Sequence, residues 1–383
     1  MLMSSLSKDD AKKIAEFLVR ESMRIGRRPD GKFESVSIVY NGTDPSCEEF
    51  AYMVEDECWK AGAYTIIRKH ISGRNRRKYE LSPEESLKAM DPLAEAIAET
   101  VDARMFIGEE DDLSWTDGIA ERLKYTAPVR QRLYEIMDGR GVRWVYFGWP
   151  VPGAAKGYGC PVDRFREIFF RSIKASLSQE LLGLCRHYSG ALSGADRVRI
   201  TTSSGDTDLS FSIKGRPVIV DDAVISEDDV ARGDTGLNIP AGEVFVAPLE
   251  TTANGYITFP VVVIPGFGRV DGLRLTFRDG KVVSFGAEKG AERFRKFLDA
   301  NTGDKDRIAE LGVGCNPGAE FTGGSIIIDE KIYRTIHIAI GNNSGAYHGA
   351  NKASSHLDMI KDMSEGQMTV DGKVVMDGGI PVR

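Results

Sequence analysis

Residues 335–358, TIHIAIGNNSGAYHGANKASSHLD, hold three of the five histidines in the chain. Ile336, Ile338 and Ile340 alternate with Thr335, His337, Ala339 and Gly341, so His337 shares one strand face with small residues. In His356-Leu357-Asp358 a spacing of two sets an imidazole and a carboxylate on the same face of an extended segment. Two acids lie in similar surroundings: Glu243 in GEVFVA and Glu310 in AELGVG, each with apolar or glycine neighbours. A lone carboxylate is costly to bury there, and a cation offsets that cost. Two imidazoles (His337, His356) and three carboxylates (Glu243, Glu310, Asp358) exceed what one closed structural zinc takes. They match two divalent ions sharing ligands.

Elements that alternate in type must position these residues. Val36–Tyr40, Ala63–Ile67, Ala103–Ile107 and Val142–Phe147 read as strands. Between and after them, 47–60, 82–100, 128–137 and 162–187 read as helices. That succession predicts an α/β domain with a mostly parallel sheet over 1–190. From 191 to 383 hairpin signals dominate, at Asp271-Gly272, Asp279-Gly280 and Asp371-Gly372, and residues 291–311 hold the one clear helix. This predicts a β-rich α+β domain that carries the metal.

With 42% hydrophobic and 28% charged residues the chain reads as globular, and its net charge of −7 gives no reason to expect nucleic acid or a membrane surface as partner. Five scattered cysteines without a CxxC favour neither disulfides nor a thiolate zinc site. Ser7 and Asp10 read as a helix cap rather than a leader, and no apolar run approaches a membrane span, so the cytoplasm is expected. Gly266-Phe267-Gly268 and Gly312-Val313-Gly314 fit neither a dinucleotide loop nor a P-loop, and GxSxG is absent. The basic cluster Arg74–Lys78 reads as a solvated loop and His70 as an exposed loop residue. Tyr347 is a candidate proton donor beside the metals, His348 a candidate substrate contact or third imidazole ligand, and Glu250 a candidate substrate contact or a replacement for Glu243 as ligand.

The stretches SGDTDLSFSIKGR (204–216), NIPAGEVFVAP (238–248), AELGVGCNPGA (309–319), DEKIYRTIHIAIG (329–341) and HLD (356–358) resemble, in order and spacing, the metallopeptidase family of aminopeptidase T and aminopeptidase S. The resemblance implies a dinuclear metallo-aminopeptidase. Its two divalent ions, Zn, Co or Mn, would be held by Glu243, Glu310, His337, His356 and Asp358. A homodimer acting through an activated water on short peptides with a free amino terminus is expected, with Glu310 and Tyr347 as catalytic residues. Family members carry a tyrosine where this chain has Ser344, and the nearest tyrosine here is Tyr347. The alternative is a ring-cleaving, single-iron enzyme, since dihydroxypyridine dioxygenases look like distant relatives. These retain a histidine where this chain has Glu310 and lack an equivalent of His337, so the acids favour the hydrolase.

Overall fold

A computed structural model describes residues 6–382. The chain divides into two compact units, one comprising the chain up to Phe170 together with Ala223–Ile239, the other Arg171–Asp222 and Pro240–Arg383.

The first unit carries strands β1 (Ser35–Asn41), β2 (Tyr64–His70), β3 (Ala103–Ile107) and β4 (Arg143–Phe147). The chain then runs through β5 (Arg197–Thr202), β6 (Asp208–Ser212) and β7 (Ile219–Asp221) in the second unit and returns to the first as β8 (Gly236–Ile239). The sheet order is β2-β1-β3-β4-β8, and every pair is parallel. The expected α/β architecture is therefore present. Helix Pro45–Lys60 shows why these residues choose helix. Asp44 caps it by accepting from Ser46 N, Pro45 opens it, and Cys47, Phe50, Ala51, Val54 and Cys58 bury one stripe.

Some local expectations need correction. The helix expected over 82–100 is two, Glu84–Lys88 and Pro92–Thr100, because Pro92 has no N–H and Asp91 caps the second by accepting from Leu93 and Ala94. The helix expected over 162–187 also divides, into Val162–Ser176 and Gln179–Leu192, where Ser178 caps the second piece. The basic cluster lies in helix Ser72–Leu81, not in a loop. The compact units also differ from a division at residue 190. Helix Gln179–Leu192 buries Leu181, Cys185, Tyr188 and Leu192 in the core of the second unit, while β8 rejoins the first by pairing with β4.

The second unit continues with β9 (Glu243–Val246), β10 (Asn254–Ile264), β11 (Gly268–Arg278), β12 (Lys281–Gly286), β13 (Ile308–Gly314), β14 (Thr335–Gly341), β15 (His356–Asp362), β16 (Gly366–Val370), β17 (Lys373–Asp377) and β18 (Ile380–Pro381). One sheet has the order β12-β11-β10-β6-β5-β16-β17-β18 and the other β15-β14-β13-β9-β7. Asp279-Gly280 and Asp371-Gly372 make turns as expected. Asp271-Gly272 instead lies within β11, and the turn before it falls at Pro265–Phe267. Val244, Val246, Leu311, Val313, Ile336, Ile338, Ile340, Leu357 and Met359 of the five-stranded sheet share one core with Ile200, Phe211, Phe259 and Leu275 of the eight-stranded sheet. That leaves the opposite face of the five-stranded sheet for chemistry.

Candidate metal centre

All five candidate ligands lie on that opposite face, on β9, β13, β14 and β15. Antiparallel register sets small residues among them. His337 is opposite Gly312, Ala339 is opposite both Glu310 and Asp358, Gly341 is opposite His356, and Glu243 is opposite Gly314. A Cβ built on Gly312 would come within 2.0 Å of His337 Nε2, so only glycine leaves room for the ring. A register shift after Ile308 brings Glu310 into line with Ala339.

The side chains form two trios that share Glu310. His337 Nε2 lies 3.2 Å from Glu310 Oε1 and 3.8 Å from Glu243 Oε2. His356 Nε2 lies 3.1 Å from Glu310 Oε2 and 3.1 Å from Asp358 Oδ1. Both rings are oriented from behind: His337 Nδ1 is 3.2 Å from Glu330 O, and His356 Nδ1 is 2.6 Å from Asn342 O. Each Nδ1–H therefore donates to a backbone carbonyl, and the neutral ring presents its Nε2 lone pair to carboxylate oxygens. Lone pairs facing each other at this range require a proton or a metal ion between them.

Sequence reasoning missed Lys331, Glu330 and Asp221. Lys331 is fully buried, its Nζ 2.7 Å from Glu243 Oε1, 2.6 Å from Glu330 Oε1 and 3.7 Å from Asp221 Oδ2. The signal available was the charged triplet Asp329-Glu330-Lys331, separated from the strand that carries His337 only by Ile332-Tyr333-Arg334. Five carboxylates (Asp221, Glu243, Glu310, Glu330, Asp358) meet one ammonium. With both imidazoles neutral, four negative charges remain unbalanced in a largely buried site. Without a metal the protons respond. Burial pulls His337 down, yet the Glu310 hydrogen bond and the charges of Glu310, Asp358 and Glu243 carry it up to about 10. His356 moves well above its ordinary value against the same burial, through Asp358 and Glu310. Burial would raise Asp358, but His356 and His337 hold it down to about 2. Burial and the Glu243 charge push Glu330 up to about 8. The donor set and its charge excess fit divalent metal.

Tyr347 ends a short 3-10 turn, Gly345–Tyr347, and stacks on His356 with ring centres 4.9 Å apart and planes at 21°. Its other neighbour is Phe245, at 5.7 Å. Burial and the surrounding carboxylates raise its phenol far above the ordinary value, so the hydroxyl keeps its proton. His348 follows in a left-handed conformation with an exposed side chain, and its carbonyl accepts from Arg216. Glu250 is apart from the trios. Both its oxygens take Arg216 at 2.6 Å, and Oε1 also accepts from Ala350 N at 2.7 Å, so it anchors the 343–350 loop.

A second group of potential ligands, His70, Glu110 and Asp111, lies in the first unit. His70 ends β2 and is half-buried, which corrects the reading of an exposed loop residue. Donors already converge on this group. Asp111 Oδ1 accepts from Asn41 Nδ2 at 3.0 Å and Ser72 N at 3.1 Å, and His70 Nδ1 faces Asn75 Nδ2. Such a group latches the chain segments after β1, β2 and β3.

The sequence profile of the thermophilic metalloproteases (M29) matches residues 8–381. The chain belongs to that family. Membership implies a divalent metal. Aminopeptidase 2 of Geobacillus stearothermophilus is 29% identical over 157 residues, covering 36% of this chain and 37% of that protein. Aminopeptidase PepS of Streptococcus thermophilus is 26% identical over 168 residues, 37% of this chain and 38% of that protein. The matched stretches thus span under two-fifths of either relative. Among solved structures, wild-type AmpT from Thermus thermophilus shares the fold over 98% of this chain and 100% of its own, with a TM-score of 0.76 at 20% identity. The 2,5-dihydroxypyridine dioxygenase of Pseudomonas putida covers 98% of both chains with a TM-score of 0.62 at 15% identity. Both likenesses concern the fold. Among the described residues of this M29 member, no helix is long and apolar enough to cross a membrane.

Proposed function

We propose that the chain is an aminopeptidase that removes the amino-terminal residue of short peptides with two divalent ions. The pair of trios sharing Glu310 carries this reading, because each oxygen of one carboxylate meets a different imidazole. Glu243 and His337 would hold one ion and His356 and Asp358 the other, with Glu310 facing both imidazoles. When bound, two divalent ions would supply Lewis acidity, activation of a water for attack and a ligand position for the unprotonated substrate amine.

The chain's own groups do the rest. The carbonyls of Glu330 and Asn342 fix both imidazole tautomers. Lys331 occupies Glu243 Oε1 and so turns Oε2 toward His337. Tyr347 retains a proton that its hydroxyl can donate to the oxyanion developing on the scissile carbonyl. Elemental analysis of purified protein is expected to give about two divalent ions per chain. Free-amine dipeptides and tripeptides should be cleaved and their amino-acetylated forms left intact. One iron per chain with no peptide cleavage would favour the dioxygenase reading, and equal cleavage of acetylated peptides would overturn the amine-binding mechanism.

A further inference from the structure

One face of the parallel sheet in the first unit is unlike a doubly wound core, whose strands are normally aliphatic on both sides. Val36, Ile38, Ala103, Met105, Ile107, Val145 and Phe147 bury the ordinary face. On the other, register aligns Ser37, Arg104 and Trp144 in one row and Arg68, Val39, Phe106 and Tyr146 in the next. Helices Pro92–Thr100 and Ala120–Gly139 cover this face incompletely and leave a cavity of about 430 Å³. That volume lies in the range of small-molecule sites, roughly 300–1,000 Å³.

The cavity carries cationic chemistry without its complement. Among the described residues no aspartate or glutamate lines it. Arg68 Nη2 reaches only Ser37 Oγ, at 3.3 Å, and the Arg104 guanidinium lies 5.1 Å from the Tyr134 ring centre with no carboxylate in reach. Several other arginines of this unit pair with acids, among them Arg143 with Glu34, Arg166 with Asp44 and Arg28 with Asp102. A guanidinium offers five donors in a planar fork that matches a carboxylate. Beside the two forks, Phe106 and Tyr146 stack with ring centres 5.2 Å apart and planes at 9°, a flat wall next to Trp144 whose Tyr146 hydroxyl donates to Glu109 Oε1 at 3.3 Å.

We infer that this cavity binds a small aromatic carboxylate, its anionic end on Arg68 and Arg104 and its ring along Phe106, Tyr146 and Trp144. The site lies outside the metal centre and does not depend on the peptidase reading. Isothermal titration of the metal-loaded protein with 2-naphthoate should show one saturable site per chain, with the neutral 2-naphthamide about tenfold weaker or more. Arg104→Gln and, separately, Arg68→Gln should each weaken naphthoate by about tenfold while changing naphthamide by less than about twofold. Arg68 is exposed at the cavity mouth, so its variant keeps the test valid should Arg104→Gln misfold. Naphthoate binding should persist in Asp358→Ala, which removes a candidate metal ligand. Absence of saturation at millimolar naphthoate, equal binding of the amide, unchanged binding in both arginine variants, or loss of binding only in Asp358→Ala would each overturn the inference.

Discussion

The two five-stranded sheets make an instructive pair. Each sets one aliphatic face against a core and loads the other with chemistry, and each uses a glycine on a neighbouring strand to leave room for a ring. Gly312 lies under His337, and Gly236 lies under Trp144, where a Cβ would also come within 2.0 Å of the ring. What differs is the sign of the charge and the room between strands. In the antiparallel sheet Gly312, Gly314, Ala339 and Gly341 let long acids and imidazoles converge. In the parallel sheet large rings fill the corresponding rows, with Arg68 at the end of one and Arg104 between Ser37 and Trp144 in the next. Convergent acids and imidazoles suit cations, whereas guanidinium forks beside flat walls suit an anion with an aromatic body. The same steric device serves two chemistries.

Breaking the device in each sheet gives the largest expected contrast. Gly312→Ala should displace His337, release metal and lower turnover by about a thousandfold, as His337→Ala should. Gly236→Ala should destabilise the first unit by about 1–3 kcal/mol through overpacking against Trp144, with turnover within about twofold of the parent. Metal content, peptide turnover and urea unfolding measured on all three variants test the contrast. Full metal occupancy in Gly312→Ala would remove the claim that this glycine makes room for a ligand.

The sequence made much of this second sheet readable because period-two alternation and residue type act locally. TIHIAIG and HLD place their imidazoles and carboxylate on one face before any tertiary contact is known. Lys331 was not readable, since its approach to Glu243 needs the chain to fold back so that Asn316 N bonds Lys331 O. Asp221 depends likewise on the pairing of β7 with β9. The extent of the first unit was hidden because β8 joins β4 far along the sequence, Trp144 pairing with Gly236, a pairing that no local pattern announces. Arg68 and Arg104 look like ordinary strand charges until the register sets them on the rows that hold Val39 and Ser37.

A smaller effect sharpens the role of the loop over the metal face. Tyr347→Phe keeps the stacking on His356 and removes only the hydroxyl. If that hydroxyl donates to the developing oxyanion, its loss is worth roughly 3 kcal/mol, or about a hundredfold in turnover, with metal content unchanged. Turnover within about twofold of the parent would reduce Tyr347 to a packing residue that holds the ring of His356.

The smallest effect separates the loaded from the stripped antiparallel sheet by its response to pH. With metal removed, His337 carries a proton up to about 10, against an ordinary 6.5, because Glu310, Asp358 and Glu243 surround it. A base whose folded value is raised stabilises the fold fully below its unfolded value, and that stabilisation fades as pH rises through the folded one. Chelated protein should therefore lose stability progressively between about pH 6.5 and 10. Asp358, held down to about 2, acts in the opposite direction and only under acid conditions, where its contribution is lost as pH falls below its ordinary 3.8. In the loaded protein the imidazoles must be deprotonated to bind metal, so this alkaline decline should vanish. Urea midpoints taken across that range, with chelator and with zinc, measure the difference. His337→Gln should reduce the alkaline decline without abolishing it, because His356 and Glu330 are also held above their ordinary values, and a chelated profile already flat in the parent would show that the carboxylates around His337 do not hold its proton.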